Sequence, residues 1–189
     1  AAAHPELFGP RVVGVALIAT STGKLAELTF GLPRAVLPVT RRALPLLTRG
    51  VLRSPKHFER GRRVGTDLAF LLTRYGGFGS SDVSPSVVEM VERMAAETQI
   101  DVIAEFYDTF TTHDRLEAIG VLRNVEALVL VGSKDLVTPV GHSREMAAAL
   151  PAAQLVVVEG AGHMVVLECA PLVTLHLRAL VRRATGLAA

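Results

Sequence analysis

The chain has 189 residues, 50% of them hydrophobic and 20% charged, with a net charge of +2; this is enough apolar material for one domain with room for an inserted subdomain, and it excludes a disordered chain. Mean hydropathy is high at +0.39, yet no run approaches the ~18 consecutive apolar residues of a membrane-spanning helix. The one cysteine, Cys169, excludes an intramolecular disulfide and points to a reducing, cytoplasmic setting.

The opening A-A-A-H-P-E-L-F-G-P lacks the basic start and apolar stretch of a secretory signal. It also lacks an initiator Met, as expected of a processed chain, a fragment or an incompletely covered sequence. Arg11–Ala19 (R-V-V-G-V-A-L-I-A) is a nearly continuous apolar run, the pattern of a strand buried on both faces of a parallel sheet. It closes in the turn T-S-T-G.

The middle, from about Lys24 to Asn124, is too long for a simple crossover. Its periodicity predicts helices over Ala35–Leu52, His57–Arg74, Ser86–Glu97 and Ile100–Phe110. Breakers separate them: Ser54-Pro55, Gly76-Gly77-Phe78-Gly79 and Ser84-Pro85. An all-helical insertion emerging where open α/β sheets bind ligands is naturally a lid. The expected organisation is therefore a core of residues 1–23 and 120–189 with a helical cap over 24–119. The cap aromatics Phe58, Phe70, Tyr75, Phe78, Phe106, Tyr107 and Phe110 are expected mostly to pack between helices, some of them lining an apolar acyl or alkyl pocket.

Charge is unevenly spread across this middle. Between Arg34 and Arg74 ten Lys and Arg face two acids, whereas between Asp82 and Glu117 nine acids face two Arg. Blocks of opposite sign so close in sequence are expected to face each other or share a solvated surface. Nucleic acid is not an expected partner, because few aromatics interleave with the basic residues and the acidic block would repel phosphates.

Two further strands are predicted over Ala127–Val131 and Leu155–Val158. The helix between them has Thr138 as expected N-cap, Pro139 at the first helical position and an Ala-rich body ending at Leu150. A last helix runs from about Pro171 to Arg182 and Arg183, whose charge suits the negative helix end. Strand, long helical stretch, strand, helix, strand, helix is the order of an α/β fold with a parallel sheet.

Each of the later strands runs into a turn bearing one reactive side chain. V-L-V-G-S-K-D ends in Asp135, and V-V-V-E-G-A-G-H ends in His163. An Asp after a strand often only caps or turns, and a lone loop histidine is often a bystander. An Asp and a His at adjacent strand ends can meet, however, which is what orienting an imidazole requires. Gly160 and Gly162 are expected to free the backbone for that approach. No other group competes: His4, His57, His113, His142 and His176 lack metal-ligand spacing. Ser21, Ser133, Ser143 and Cys169 do not fit a nucleophile turn, and no G-x-S-x-G occurs.

G-S-K-D-L-V-T-P followed by G-A-G-H-M resembles the final third of the α/β-hydrolase superfamily, whose triad runs Ser, then Asp or Glu, then His. The opening A-A-A-H-P-E-L-F-G resembles the end of the helix behind the nucleophile turn. The resemblance implies a partial α/β-hydrolase fold with Asp135 as the acid, His163 as the general base and no metal or cofactor. It places the nucleophile roughly ten residues before Ala1. Asp114 resembles a structural position, and Glu168 is expected to satisfy backbone groups. The implied activity is serine-type, esterase-like hydrolysis of a small or medium apolar ester. Epoxide hydrolases, dehalogenases, C–C bond hydrolases and haloperoxidases share the superfamily. The alternative is a truncated, non-catalytic chain that acts through binding or self-association. In that case the unpaired edge of Arg11–Ala19 would recruit a second copy or a missing N-terminal part.

Overall fold

The structure, a computed structural model, describes residues 1–25, 37–57 and 73–186. Three parallel strands form a sheet in the order β1 (Gly14–Ile18), β2 (Glu126–Gly132), β3 (Gln154–Val158). Between β1 and β2 lie α1 (Leu37–Arg53), α2 (Pro85–Glu97) and α3 (Ile100–Thr112), followed by a 3-10 segment at Glu117–Asn124. After β2 comes α4 (Val140–Ala149); after β3 come the single turn α5 (Val165–Glu168) and α6 (Ala170–Thr185). The order expected from the sequence is present, and it is an α/β fold.

The central strand organises the core. Alternate β2 side chains point to opposite faces. Leu128 and Leu130 join Val158, Val165, Val173 and Leu180 beneath α5 and α6, while Ala127 and Val129 join Ile119, Leu122, Met146 and Leu150 beneath α4. Leu128, Val129, Leu130 and Val131 are all fully buried. Burying a side chain of this size contributes about 1.5–3 kcal/mol, so these four residues anchor both layers at once. A strand covered on both sides has no use for polar alternation, which is why β2 reads as an unbroken apolar run.

The flanking strands depart from that pattern. Arg11–Ala19 was expected to be buried on both faces, but the strand covers only Gly14–Ile18, with Ala16 exposed. In β3, Leu155 and Val157 remain 37% and 38% exposed. Both strands are edges of the described sheet, so each lacks the neighbour that would complete its burial. The apolar composition is the same as in β2, and only the position in the sheet differs.

The helices expected between β1 and β2 fall close to their expected limits where they are described, and α1 packs against α3. This brings part of the basic block beside part of the acidic one. Most of the expected His57–Arg74 helix, with Phe58 and Phe70, lies outside the described residues, as do the side chains of Tyr107 and Phe110; residues 73–77 are helical. Phe78 is buried, but Tyr75 and Phe106 are 72% and 57% exposed, so these two do not serve the packing role expected of the cap aromatics. Among the described residues no helix is long and apolar enough to cross a membrane.

Candidate active site

Register explains why the two reactive side chains converge. Gly132, the last residue of β2, lies opposite Val158, the last residue of β3. Both following loops therefore leave the sheet at the same level, at the carboxyl ends of parallel strands. Backbone bonds knit them together: Ser133 N–H donates to Val158 O at 2.9 Å and Lys134 N–H to Ala161 O at 2.9 Å. The Ser133 hydroxyl oxygen accepts from Gly160 N–H at 2.9 Å. Gly132 is required by this closeness, since a Cβ there would collide with the carbonyl oxygens of Ala161 and Gly162.

Asp135 is 4% exposed and its carboxylate is saturated. Oδ1 accepts from Val137 N–H at 2.8 Å and Thr138 N–H at 2.7 Å. Oδ2 accepts from the Thr138 hydroxyl at 2.9 Å and from His163 Nδ1 at 3.0 Å. Burial pushes the Asp135 pKa up, but the bonds from His163 and Thr138, with the charge of His163, outweigh it and hold the carboxyl below its ordinary value. An ionised carboxylate only accepts, so Nδ1 of His163 is the donor to it, and whenever the ring is neutral the lone pair is on Nε2. The imidazole remains partly open, with a side-chain exposure of 23%. A basic nitrogen on a ring held by a buried carboxylate can take a proton from an adjacent hydroxyl or thiol.

Thr138 corrects one expectation. It is not the N-cap of α4; that position is Pro139, the helix starts at Val140, and no side chain caps it. The Thr138 hydroxyl turns to Asp135 instead, because a charged acceptor binds it more strongly than a neutral backbone group would.

The loop before His163 shows a second difference. Gly160 does adopt a positive φ of 80°, but Gly162 does not. Gly162 is needed for space: a Cβ there would lie 2.5 Å from Gly79 N and 2.7 Å from Phe78 C. The Gly76-Gly77-Phe78-Gly79 stretch, read from sequence only as a breaker, is thus part of the site's framework. Met164 N–H donates to Gly77 O at 2.9 Å, and Lys134 Nζ to Gly79 O at 3.2 Å. Glu168 Oε2 accepts from Gly79 N–H at 2.9 Å and Ser80 N–H at 3.0 Å, while Oε1 accepts from Gly162 N–H at 2.7 Å. Glu168 does satisfy backbone groups; that two of them belong to the 77–80 segment had no local signal in the sequence.

The remaining candidates stand apart. Ser21 is engaged in its own turn with Gly23, and Cys169 packs partly buried against the core at the start of α6. Asp114 forms an isolated bridge with Gly23, and its carboxylate accepts from Leu116 N–H at 3.4 Å, a structural setting. Among the described residues no group of three or more His, Cys, Asp or Glu could hold a metal ion.

A three-stranded parallel sheet with an Asp and a His meeting beyond consecutive strands belongs to a recognised class: residues 1–170 match the family model for the alpha/beta hydrolase fold, and the chain is a member of that family. No curated protein matches the sequence. Among solved structures it is similar to a thermophilic esterase from Thermogutta terrifontis, with a TM-score of 0.60 and 20% identity over 90% of this chain and 56% of that one. It is also similar to the enol-lactonase from Burkholderia xenovorans LB400 (TM-score 0.64, 22% identity, 95% of this chain and 60% of that one). A third is MenH from S. aureus (TM-score 0.64, 14% identity, 98% of this chain and 64% of that one). These likenesses show the fold. The chain spans 56% to 64% of the length of these three structures.

Proposed function

We propose that the chain supplies the acid and base of a serine-type α/β hydrolase acting on a small or medium apolar ester, with the nucleophile contributed by sequence outside these 189 residues. The observation that carries this reading is the 3.0 Å contact between His163 Nδ1 and the buried Asp135 Oδ2. In the mechanism, His163 Nε2 removes the proton of a serine hydroxyl as it attacks the ester carbonyl. Asp135 stabilises the imidazolium that forms, backbone N–H groups hold the oxyanion, and the imidazolium then protonates the leaving alkoxide. No metal or cofactor is invoked. The esterase and the enol-lactonase among the similar structures support ester-type chemistry, a lactone being a cyclic ester. Residues 24–119 act as the cap over this site, and the single cysteine supports a cytoplasmic location.

The test extends the reading frame upstream and assays p-nitrophenyl esters. A longer protein containing a G-x-S-x-G turn should turn over, and His163→Ala in it should lose at least about a hundredfold, the usual contribution of a general base. The 189-residue chain alone should not exceed its own His163→Ala control. Activity of the longer protein that survives His163→Ala sinks the reading.

One observation favours a second reading. Among the described residues β1 pairs only with β2, and its outer edge is rich in apolar residues. A chain acting through association would cover that edge with a second copy or a preceding strand. Light scattering decides between a homodimer and a monomer.

A further inference from the structure

The Glu168 carboxylate bridges two segments that are far apart in sequence, the 77–80 stretch of the cap and the loop that ends in His163. Its place is set locally: Glu168 closes α5, its own N–H donates to Met164 O at 3.0 Å, and this turn folds its side chain back over Gly162. Gly162 immediately precedes His163. Its N–H belongs to the Ala161–Gly162 peptide, one residue before His163, so the bond to Glu168 anchors the loop just ahead of the imidazole. On the other side, Gly79 and Ser80 present adjacent N–H groups to a single oxygen, a charge-assisted arrangement. The glycine-to-glycine approach at 79 and 162 removes the side chains that would hold these backbones apart.

We propose that Glu168 is a positioning residue: it latches the cap to the His163 loop, so that the cap segment and the imidazole are placed as one unit. This rests on the reading of His163 as the base. Gln is isosteric with Glu but cannot reproduce the latch. One of its two arms is an NH2 donor, and whichever way the amide turns, a donor faces either Gly162 N–H or the Gly79 and Ser80 pair.

The experiment is NMR on the full chain, with amide hydrogen exchange read at Gly79, Ser80 and Gly162 and the imidazole tautomer read from the ring nitrogens of His163. In the wild type the three amides should be protected and His163 should be the Nδ1–H form. Glu168→Gln should speed exchange at Gly162, or at Gly79 and Ser80 together, by at least about tenfold and mix the His163 tautomers. Leu150→Ala, in the opposite core layer, should lower stability without mixing them. Glu168→Asp keeps the charge but loses reach, should show the same changes to a smaller degree, and decides the matter if the Gln variant does not fold. Unchanged exchange at all three amides overturns the latch. Faster exchange with an unchanged tautomer overturns the positioning role. A wild-type His163 that is not the Nδ1–H form would instead count against the acid–base reading, leaving the latch to stand or fall on the three amides.

Discussion

The loop that presents Asp135 and the loop that presents His163 sit side by side, yet they are held in opposite ways. Asp135 is fixed chiefly by its own neighbours, Val137 and Thr138, through bonds spanning two or three residues. The His163 loop is held by Gly77, Gly79 and Lys134, remote in sequence, and by Glu168 after it. A carboxylate with short reach can be satisfied by the turn it starts, because Asp bonds readily to backbone groups two and three residues on. An imidazole that must stay partly open cannot wrap itself in its own loop, so other segments hold that loop in place.

The contrast predicts a graded response to substitution. The largest effect should come from Gly162→Ala, where the new Cβ meets backbone atoms of residues 78 and 79 that cannot swing away; a loss of about 3 kcal/mol or more is expected, since overpacking costs 1–3 even where neighbours relax. Urea denaturation measures it, and a loss below about 1 kcal/mol would show that the 78–79 backbone yields freely.

Next comes Asp135→Asn, which turns an amide donor toward existing donors and should cost about 2 kcal/mol. It should also alter the acid response. Because folding lowers the Asp135 pKa below its ordinary 3.8, the folded state binds fewer protons than the unfolded state between those two values. The associated stability is complete above the ordinary value and is lost as pH falls through the folded one. Unfolding free energy measured from pH 5 downward should therefore decline in the wild type and decline less in Asp135→Asn. Parallel curves would remove Asp135 from the acid limb.

Thr138→Val removes a hydroxyl donated to a charged oxygen and should cost about 1.5 kcal/mol. The smallest effect belongs to Gly160→Ala. Nothing lies within 4 Å of the new Cβ there, so only the positive φ is penalised, by about 1 kcal/mol. If the two glycine variants proved equally costly, the distinction between freedom at 160 and space at 162 would fail.

Much of the fold was legible because its signals are local. The apolar run at 127–131, the order of elements and the helix patterns at Ala35–Leu52, Ser86–Glu97 and Ile100–Phe110 appear close to where periodicity and breakers placed them. The Asp135 and His163 pairing was legible for a related reason: two strands of similar length, joined by a short helix, bring their following loops to one level. Exposure of β1 and β3 was not legible, since an edge strand and a central strand can carry the same Val-rich sequence. Nor was the role of 76–79, where glycines that mark a break in a helix also permit two backbones to touch.

By itself the sequence determined the parallel α/β order, the apolar content of β2 and the placement of one carboxylate and one imidazole at strand ends, all of which follow from patterns shorter than a helix. Tertiary structure alone decided that Thr138 serves Asp135 rather than capping a helix, that Gly162 is a matter of room, and that Glu168 joins Gly79 and Ser80 to the His163 loop. The physical reason is range. Propensity and periodicity act between near neighbours in the chain, whereas a hydrogen bond across 88 or 89 residues exists only once the sheet has brought its partners together.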